Sequence, residues 1–441
     1  MRAISYWAVA ATMVTSVSTM GLTNAAYAQD AAEDQLLDRL TVLEAELQKL
    51  RDELAETKAQ TVKTKKVAEK AAKKASKVEA AEEKVFPNSW HMAGYADTGM
   101  VFSDGENPGT FINGKFNPAI HFQYKDILQF ESEFEVSTNS DGETDMILEY
   151  SQINLFLNDS MTLVAGKFLS PVGQFTERLH PSWINKMPDA PAGFGHGGIQ
   201  PISNVGAMLR GGVEMMGGRL FTYSVAVGNG PRAGHDGVEL EGFGRDDNKN
   251  KSVSGRVAFM PFDHFEVGGS FMTAKVAPEA EAAAEDDGHD EEETVLAEVT
   301  QGDFDLWGLD MAFTQGNWDI RGEYLNADFV QPGELEDGHD EEEESGPLSF
   351  EAWYVQAAYR LSGITDSSFI HKLEPVVRYN RFKAAGDHAL EDELNEKRFN
   401  VGLNYWLTPS VVVKGGVEWR YFDASEREDD SRVLFQLSYG F

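Results

Sequence analysis

The chain has 441 residues, 73 acidic against 38 basic, a formal net charge of −35 and no cysteine. That charge repels phosphate backbones and argues against nucleic acid as a partner, and the missing thiols exclude disulfides, Cys-ligated zinc, iron–sulfur clusters and thiol nucleophiles. Mean hydropathy is negative, which rules out a bundle of membrane helices but not a barrel, where only alternate residues meet lipid.

Residues 1–28 read as a secretory signal peptide. Arg2 gives the positive start, Trp7 to Met20 the apolar run, and Ala26-Tyr27-Ala28 the small-x-small cleavage pattern. A coiled coil is predicted over 29–85. Leu36, Leu40, Leu43, Leu47, Leu50 and Leu54 follow the 4,3,4 heptad spacing, and the register continues through Thr57, Thr61, Thr64, Ala68, Ala71, Ala75 and Val78. Asp30 to Glu56 is mainly acidic and Lys58 to Lys84 mainly basic. A periplasmic stalk that sets a homotrimer and reaches the cell wall is one reading; a single solvated helix or a linker is the other. Phe86-Pro87-Asn88 ends the helix.

From Trp90 onward short alternating runs are separated by turn residues. Their period of two predicts sixteen strands within 86–441. Every second connection is short: Lys125-Asp126, Asn158-Asp159-Ser160, Gly217-Gly218, Pro261-Phe262-Asp263, Gln315-Gly316-Asn317, the slightly longer Ser362 to Ser368, and Thr408-Pro409-Ser410. The others are long and polar. Such sorting fits an all-β transmembrane barrel with periplasmic turns and extracellular loops, and an even strand number suits it. The last strand, Ser431 to Phe441, alternates Val433, Phe435, Leu437, Tyr439 and Phe441 with smaller or polar residues. Its aromatic end resembles the C-terminal signature of bacterial outer-membrane barrels. Trp90, Tyr124, Trp318, Trp406 and Phe441 are expected in one interfacial girdle, with Phe102, Phe329 and Tyr421 in the other.

The longest connection, 171–204, is rich in Pro and Gly yet carries Phe175, Trp183, Ile184 and Phe194. A loop bathed in water has no use for these, so it is read as a constriction loop folded into the lumen, against the alternatives of an outer lid or a subunit latch. Its charged or titratable candidates are Glu177, Arg178, His180, Lys186, Asp189 and His196.

Gly166-Lys167-Phe168-Leu169-Ser170-Pro171-Val172-Gly173 leads into this loop. It resembles the G-K-F-x-x-P-x-G stretch of the phosphate- and polyphosphate-selective porins, whose relatives for dicarboxylates and similar anions also carry a coiled coil ahead of the barrel. The resemblance implies a trimeric outer-membrane channel whose pore is lined by rows of arginine and lysine. On this loop only Arg178 and Lys186 correspond to such a row.

Alternation also assigns a lumen face. It places Lys167, Arg210, Arg256, Arg321, Arg360, Arg378, Arg398, Lys414 and Arg420 inward, together with Glu131, Glu133, Glu135, Glu149, Glu214, Asp319, Glu323 and Glu418. Acids crowd the early strands and bases the later ones, which suggests a transverse field across a water-filled pore. The alternative is that they simply pair.

The word Asp-Gly-His-Asp-Glu-Glu-Glu occurs at 287–293 and again at 337–343, inside the acidic segments 279–298 and 334–344. These are read as solvated extracellular brushes. Loosely bound divalent cations, with His289, Asp290, His339 and Asp340 as candidate ligands, or bridges to lipopolysaccharide, are the other reading. No catalytic motif is visible. The sequence therefore predicts no enzyme and no resident cofactor. It predicts a passive channel for small hydrophilic solutes, phosphate- or carboxylate-like anions by resemblance, that would meet outer-membrane lipid and peptidoglycan. A wall tether with a barrel anchor and a cation or metal channel fed by the acidic loops are the rivals.

Overall fold

The computed structural model describes residues 88–441 apart from 105–108, 113, 139–141, 216, 235–236, 241–249, 277–301, 331–347, 365–366, 387–393 and 424–426; Gln48 and Lys49, both helical, are described as well. The expected signal peptide, the rest of the coiled coil and both acidic segments, with His289, Asp290, His339 and Asp340, lie outside the described residues.

Among the described residues nineteen strands follow in order: β1 (Asn88–Ser103), β2 (Thr110–Ile112), β3 (Phe116–Tyr124), β4 (Leu128–Thr138), β5 (Thr144–Asn158), β6 (Met161–Leu169), β7 (Ser203–Met215), β8 (Arg219–Gly228), β9 (Arg232–Gly234), β10 (Gly237–Glu239), β11 (Ser252–Phe262), β12 (Phe265–Val276), β13 (Gly302–Gln315), β14 (Trp318–Val330), β15 (Leu348–Tyr359), β16 (Leu373–Ala385), β17 (Glu396–Thr408), β18 (Val411–Phe422) and β19 (Asp430–Gly440). Three are small additions within long connections. β9 and β10 make a separate ribbon, and β2 lies along Gly99 to Val101 of β1. The remaining sixteen form one closed antiparallel barrel, each paired with its neighbour in the chain.

Closure is made by β1. Its first half pairs with β3, from Asn88 opposite Tyr124 to Ala96 opposite Phe116, and its second half pairs with β19, from Tyr95 opposite Gly440 to Ser103 opposite Arg432. Gly94 and Phe441 exchange both backbone hydrogen bonds, at 3.0 and 2.9 Å. Gly94 has φ +148°, and a Cβ there would lie 2.2 Å from the Asn117 carbonyl oxygen, so only glycine fits the seam. A closed sheet leaves no edge for lipid to desolvate.

Burial is inverted relative to a soluble sandwich. Leu309 is 58% exposed, whereas Asp310 beside it is 6% exposed. Val225, Val257, Phe271, Val355, Val401, Phe435 and Leu437 likewise face out, while Glu133, Glu323, Arg378, Lys414 and Glu418 are buried inside. Alternation of apolar-out and polar-in is what a lipid-facing barrel requires. Trp90, Tyr124, Trp318 and Phe441 are exposed near the short-turn end, and Phe102 and Tyr421 near the long-loop end. Two girdle expectations fail. Trp406 is buried and its indole N–H donates to Glu374 Oε2 at 2.8 Å, and Phe329 is buried in the interior. Both fall on the inward phase of their strands, which strand-end position alone does not reveal.

Boundaries move slightly. β11 runs on through Pro261 and Phe262, so its turn is Asp263-His264, with His264 at φ 70°. A short helical turn, Ile370–Lys372, occupies the end of the connection before β16.

Candidate functional site

The interior is shaped by the segment between β6 and β7. Its neck is closed by Ser170 N–H donating to Ile202 O at 2.8 Å. Gly173 turns the chain inward at φ +67°, and its N–H donates to Ser270 Oγ at 3.1 Å. The next two N–H groups, of Gln174 and Phe175, donate to the two oxygens of Glu323 on β14 at 3.1 and 2.9 Å. Gln174 Nε2 donates to the Met311 and Gly322 carbonyls. One buried carboxylate thus holds the amides of Gln174 and Phe175, where the helical turn Phe175–Leu179 begins.

Beyond this pin the segment packs by apolar contact. Val172, Phe175, Leu179, Ala192, Phe194 and Ile199 form a core with inward residues of β12 to β16, among them Met272, Phe304, Leu325, Ala352, Tyr354 and Phe382. Phe194 meets Tyr354 edge-on at 5.1 Å. Met187 packs with Ala358 and Val376, and Trp183 lies over Gly440, where a Cβ would come within 2.7 Å of its indole. A lumen wall that is apolar on the inside is explained by this cover: it would otherwise face water.

The same segment takes up the basic side of the barrel. Lys414 Nζ donates to the Ser182 carbonyl and to Gln436 Oε1. Arg378 Nη2 donates to the Asp189 carbonyl at 2.8 Å. Lys186 reaches Glu374 at 3.0 Å and lies 5.3 Å from the Trp406 ring centre. Arg178 meets Glu266 at 2.8 Å, and Arg256 pairs with both Asp310 and Glu266, at 2.6 and 2.7 Å. Arg321 is held by Asp319 at 2.7 Å, Arg420 by Asp430, and Arg398 by Glu396. Arg360 stacks 4.7 Å over Trp406. Arg432, which the sequence reading did not single out, bridges Glu418 and Asp189. Each of these bases has a protein partner, and they do not form an open row.

Lys167 departs from its expected lumen position. It pairs directly with Ser151 and Val205 and alternates with the fully buried Phe168, so it shares the outward face. Two residues from the end of β6, its long stem can carry the ammonium towards the polar rim. Polarity alone misleads where such a stem can snorkel.

What remains open lies against the opposite wall, chiefly β1, β4, β5 and β7. One cavity is lined by Tyr95, Asp97, Lys115, Glu135, Asp189, His180 and His196. A second, nearer the short-turn end, is lined by Glu131, Glu133, Tyr150, Gln152, Glu177, Arg210 and again His180. His180 therefore stands where the two meet. Its Nδ1–H donates to the Thr176 carbonyl, its Nε2 has no hydrogen-bond partner among the described residues, and burial pushes its pKa below the usual 6.5 despite the nearby Glu149. Around the passage Glu131 accepts from Asn154 at 2.7 Å and Gln152 at 3.1 Å, Glu135 pairs with Lys115 at 2.7 Å, and Arg210 lies 3.9 Å from Glu177.

Wall geometry is altered at one point. Glu133 is opposite Tyr150 and Phe134 opposite Leu148, which leaves Glu149 as the extra residue of a bulge. Bulges re-aim side chains, and Glu149 and Tyr150 both turn inward here. Sequence reasoning missed Asp97, Lys115 and Tyr95. Asp97 and Tyr95 sit on the inward phase of β1, so period two could have found them; Lys115 precedes β3 and carries no periodic signal.

A closed sixteen-strand barrel with an apolar exterior, a polar interior and a segment folded into the lumen is the construction of an outer-membrane porin, a channel rather than an enzyme. The chain belongs to the family described as phosphate-selective porin O and P, whose profile matches residues 192–430, more than half of its length. No curated protein matches it. Among solved structures, the anion-selective porin from Comamonas acidovorans is 12% identical and aligns with a TM-score of 0.50 over 80% of this chain and all of its own. The outer membrane channel DcaP of Acinetobacter baumannii (10% identity, TM-score 0.49, 80% of this chain and 97% of its own) and a loop-deletion form of OmpT from Vibrio cholerae (14%, 0.48, 81% and 100%) are similar in the same way. At these identities the likeness is one of fold.

Proposed function

We propose that the protein is a passive, water-filled channel for small hydrophilic solutes, with its short turns in the periplasm, its long loops outside and the segment 171–204 as its constriction. The carrying observation is the pair of cavities left between that segment and the wall of β1, β4 and β5, which share His180 as a lining residue. Selectivity is set by the charges lining these cavities. Asp97, Glu131, Glu133, Glu135, Glu177 and Asp189 face them, against Lys115 and Arg210. That balance favours cations and neutral polar solutes over multiply charged anions. The anion reading draws on the family description and on Lys115 and Arg210 as stepping points.

Refolded protein in a planar bilayer under a KCl gradient decides between them. A reversal potential on the potassium side is expected; one on the chloride side overturns the cation preference and restores the anion reading, and no conductance removes the channel altogether. Closing in three equal steps is expected of a homotrimer. The wall-tether reading rests on residues 29–85, and retention on a peptidoglycan pull-down is its test.

A further inference from the structure

We propose that Glu135, Glu149 and His196 form a binding site for a divalent transition-metal ion in the lumen. Their donor atoms all lie within 4.8 Å of one another. His196 Nε2 is 3.0 Å from Glu149 Oε1 and 3.8 Å from Glu135 Oε2. Metal–nitrogen and metal–oxygen bonds of ~2.0–2.1 Å in a tetrahedral shell put neighbouring donors about 3.4 Å apart. The observed separations bracket that value, so small side-chain adjustments seat an ion.

A second, independent feature points to a ligand. Glu149 is 1% exposed, and apart from the approach of His196 neither of its oxygens accepts a hydrogen bond from a described residue. A buried carboxylate whose one near partner among the described residues is an imidazole is costly to maintain. Glu149 shares the inward phase of Ile147, which lies opposite Glu135, and the β5 bulge sets Tyr150 inward beside it, so two adjacent residues face the lumen, an arrangement regular alternation would not produce. The imidazole comes from the other side of the lumen: His196 sits between Gly195 and Gly197, both with positive φ, on the inserted segment. Ion binding would thus fasten that segment to the β4–β5 wall, the side on which it lacks the apolar core that holds it to β12–β16.

Two carboxylates and one imidazole suit Zn²⁺, Co²⁺, Mn²⁺ or Fe²⁺ better than Mg²⁺ or Ca²⁺, which prefer all-oxygen shells. Lys115 Nζ now holds Glu135 at 2.7 and 2.8 Å. Its side chain is 41% exposed, so it can turn away, and it competes with the ion for that carboxylate.

The test is Zn²⁺ calorimetry on the refolded full-length protein with excess Ca²⁺ present to occupy the acidic segments, repeated with Co²⁺ to read the ligand field by absorption. One saturable equivalent per chain is expected. It should be lost in Glu149→Gln and at least about 100-fold weaker in His196→Asn, beyond the range of changes outside the ligand shell. Lys115→Met should bind more tightly, an effect that a purely structural role for the cluster does not produce. Heat-modifiable electrophoretic migration checks folding of each variant, and His196→Asn decides if Glu149→Gln does not fold. Unchanged stoichiometry and affinity in His196→Asn, or no saturable binding above Ca²⁺, would overturn the site. Binding is read without current, so the result is independent of which solutes the channel passes.

Discussion

At the scale of single residues, two groups set how the inserted segment is held. Glu323 accepts two adjacent backbone N–H groups, from Gln174 and Phe175. Glu323→Ala strands both donors in a buried site, at a cost of about 2–3 kcal/mol. The expected readouts are a lower unfolding midpoint in denaturant and a larger, noisier single-channel current; an unchanged current would mean the apolar core alone fixes the segment. His180 gives a pH dependence of known sign. Its folded pKa lies below the 6.5 of the free side chain, because burial disfavours the imidazolium. As pH falls through 6.5 the unfolded chain takes up a proton that the folded one refuses, so stability is lost on the acid side and retained above it. Comparing unfolding at pH 7.5 and 5.5 in the native protein and in His180→Gln checks this: the variant should lose less on acidification.

At the scale of elements, the closing seam is the most exacting joint. Gly94→Val would drive a side chain into the Asn117 carbonyl and against the Phe441 ring. The expected outcome is failure to convert to the heat-modifiable barrel, read by electrophoresis of refolding mixtures; normal conversion would show that β1 can shift register. The seam was partly legible in the sequence. Alternation from Ser431 onward and the short–long order of connections define strands, turns and closure, because lipid on one side and water on the other impose period two on every strand. Trp406, Phe329 and Lys167 were misplaced for a shared reason. Whether a strand residue faces in or out depends on phase, and aromatic character near a strand end, or a charge on a long stem, overrides the simple rule. Glu149 was placed inward, but the bulge that sets Tyr150 inward beside it was invisible, since one extra residue leaves no mark without its partner strand.

For the molecule as a whole, the charges sort by which side the inserted segment covers. Bases on β11, β14 and β16 to β19 are engaged, and the acids of β4 line what is left open. Replacing Glu131, Glu133 and Glu135 together by Gln should move the reversal potential towards chloride, a several-fold change in permeability ratio given that charged rings set selectivity. An unmoved potential would place the selecting charges elsewhere. Alternation gave the inward faces but not this division, because chain packing across a lumen is not written in strand periodicity. The covered wall has a practical side. Met272, Phe304, Leu306, Leu325 and Phe329 are greasy residues on an inner surface that the segment 171–204 covers, with Leu240 and Leu394 packed against the same core. Cutting that segment out to make a wider tube for large cargo would therefore bare a water-repellent strip. Such a lining empties itself of liquid and stops ion flow by dewetting. A wider tube would need polar replacements along that strip in the same step.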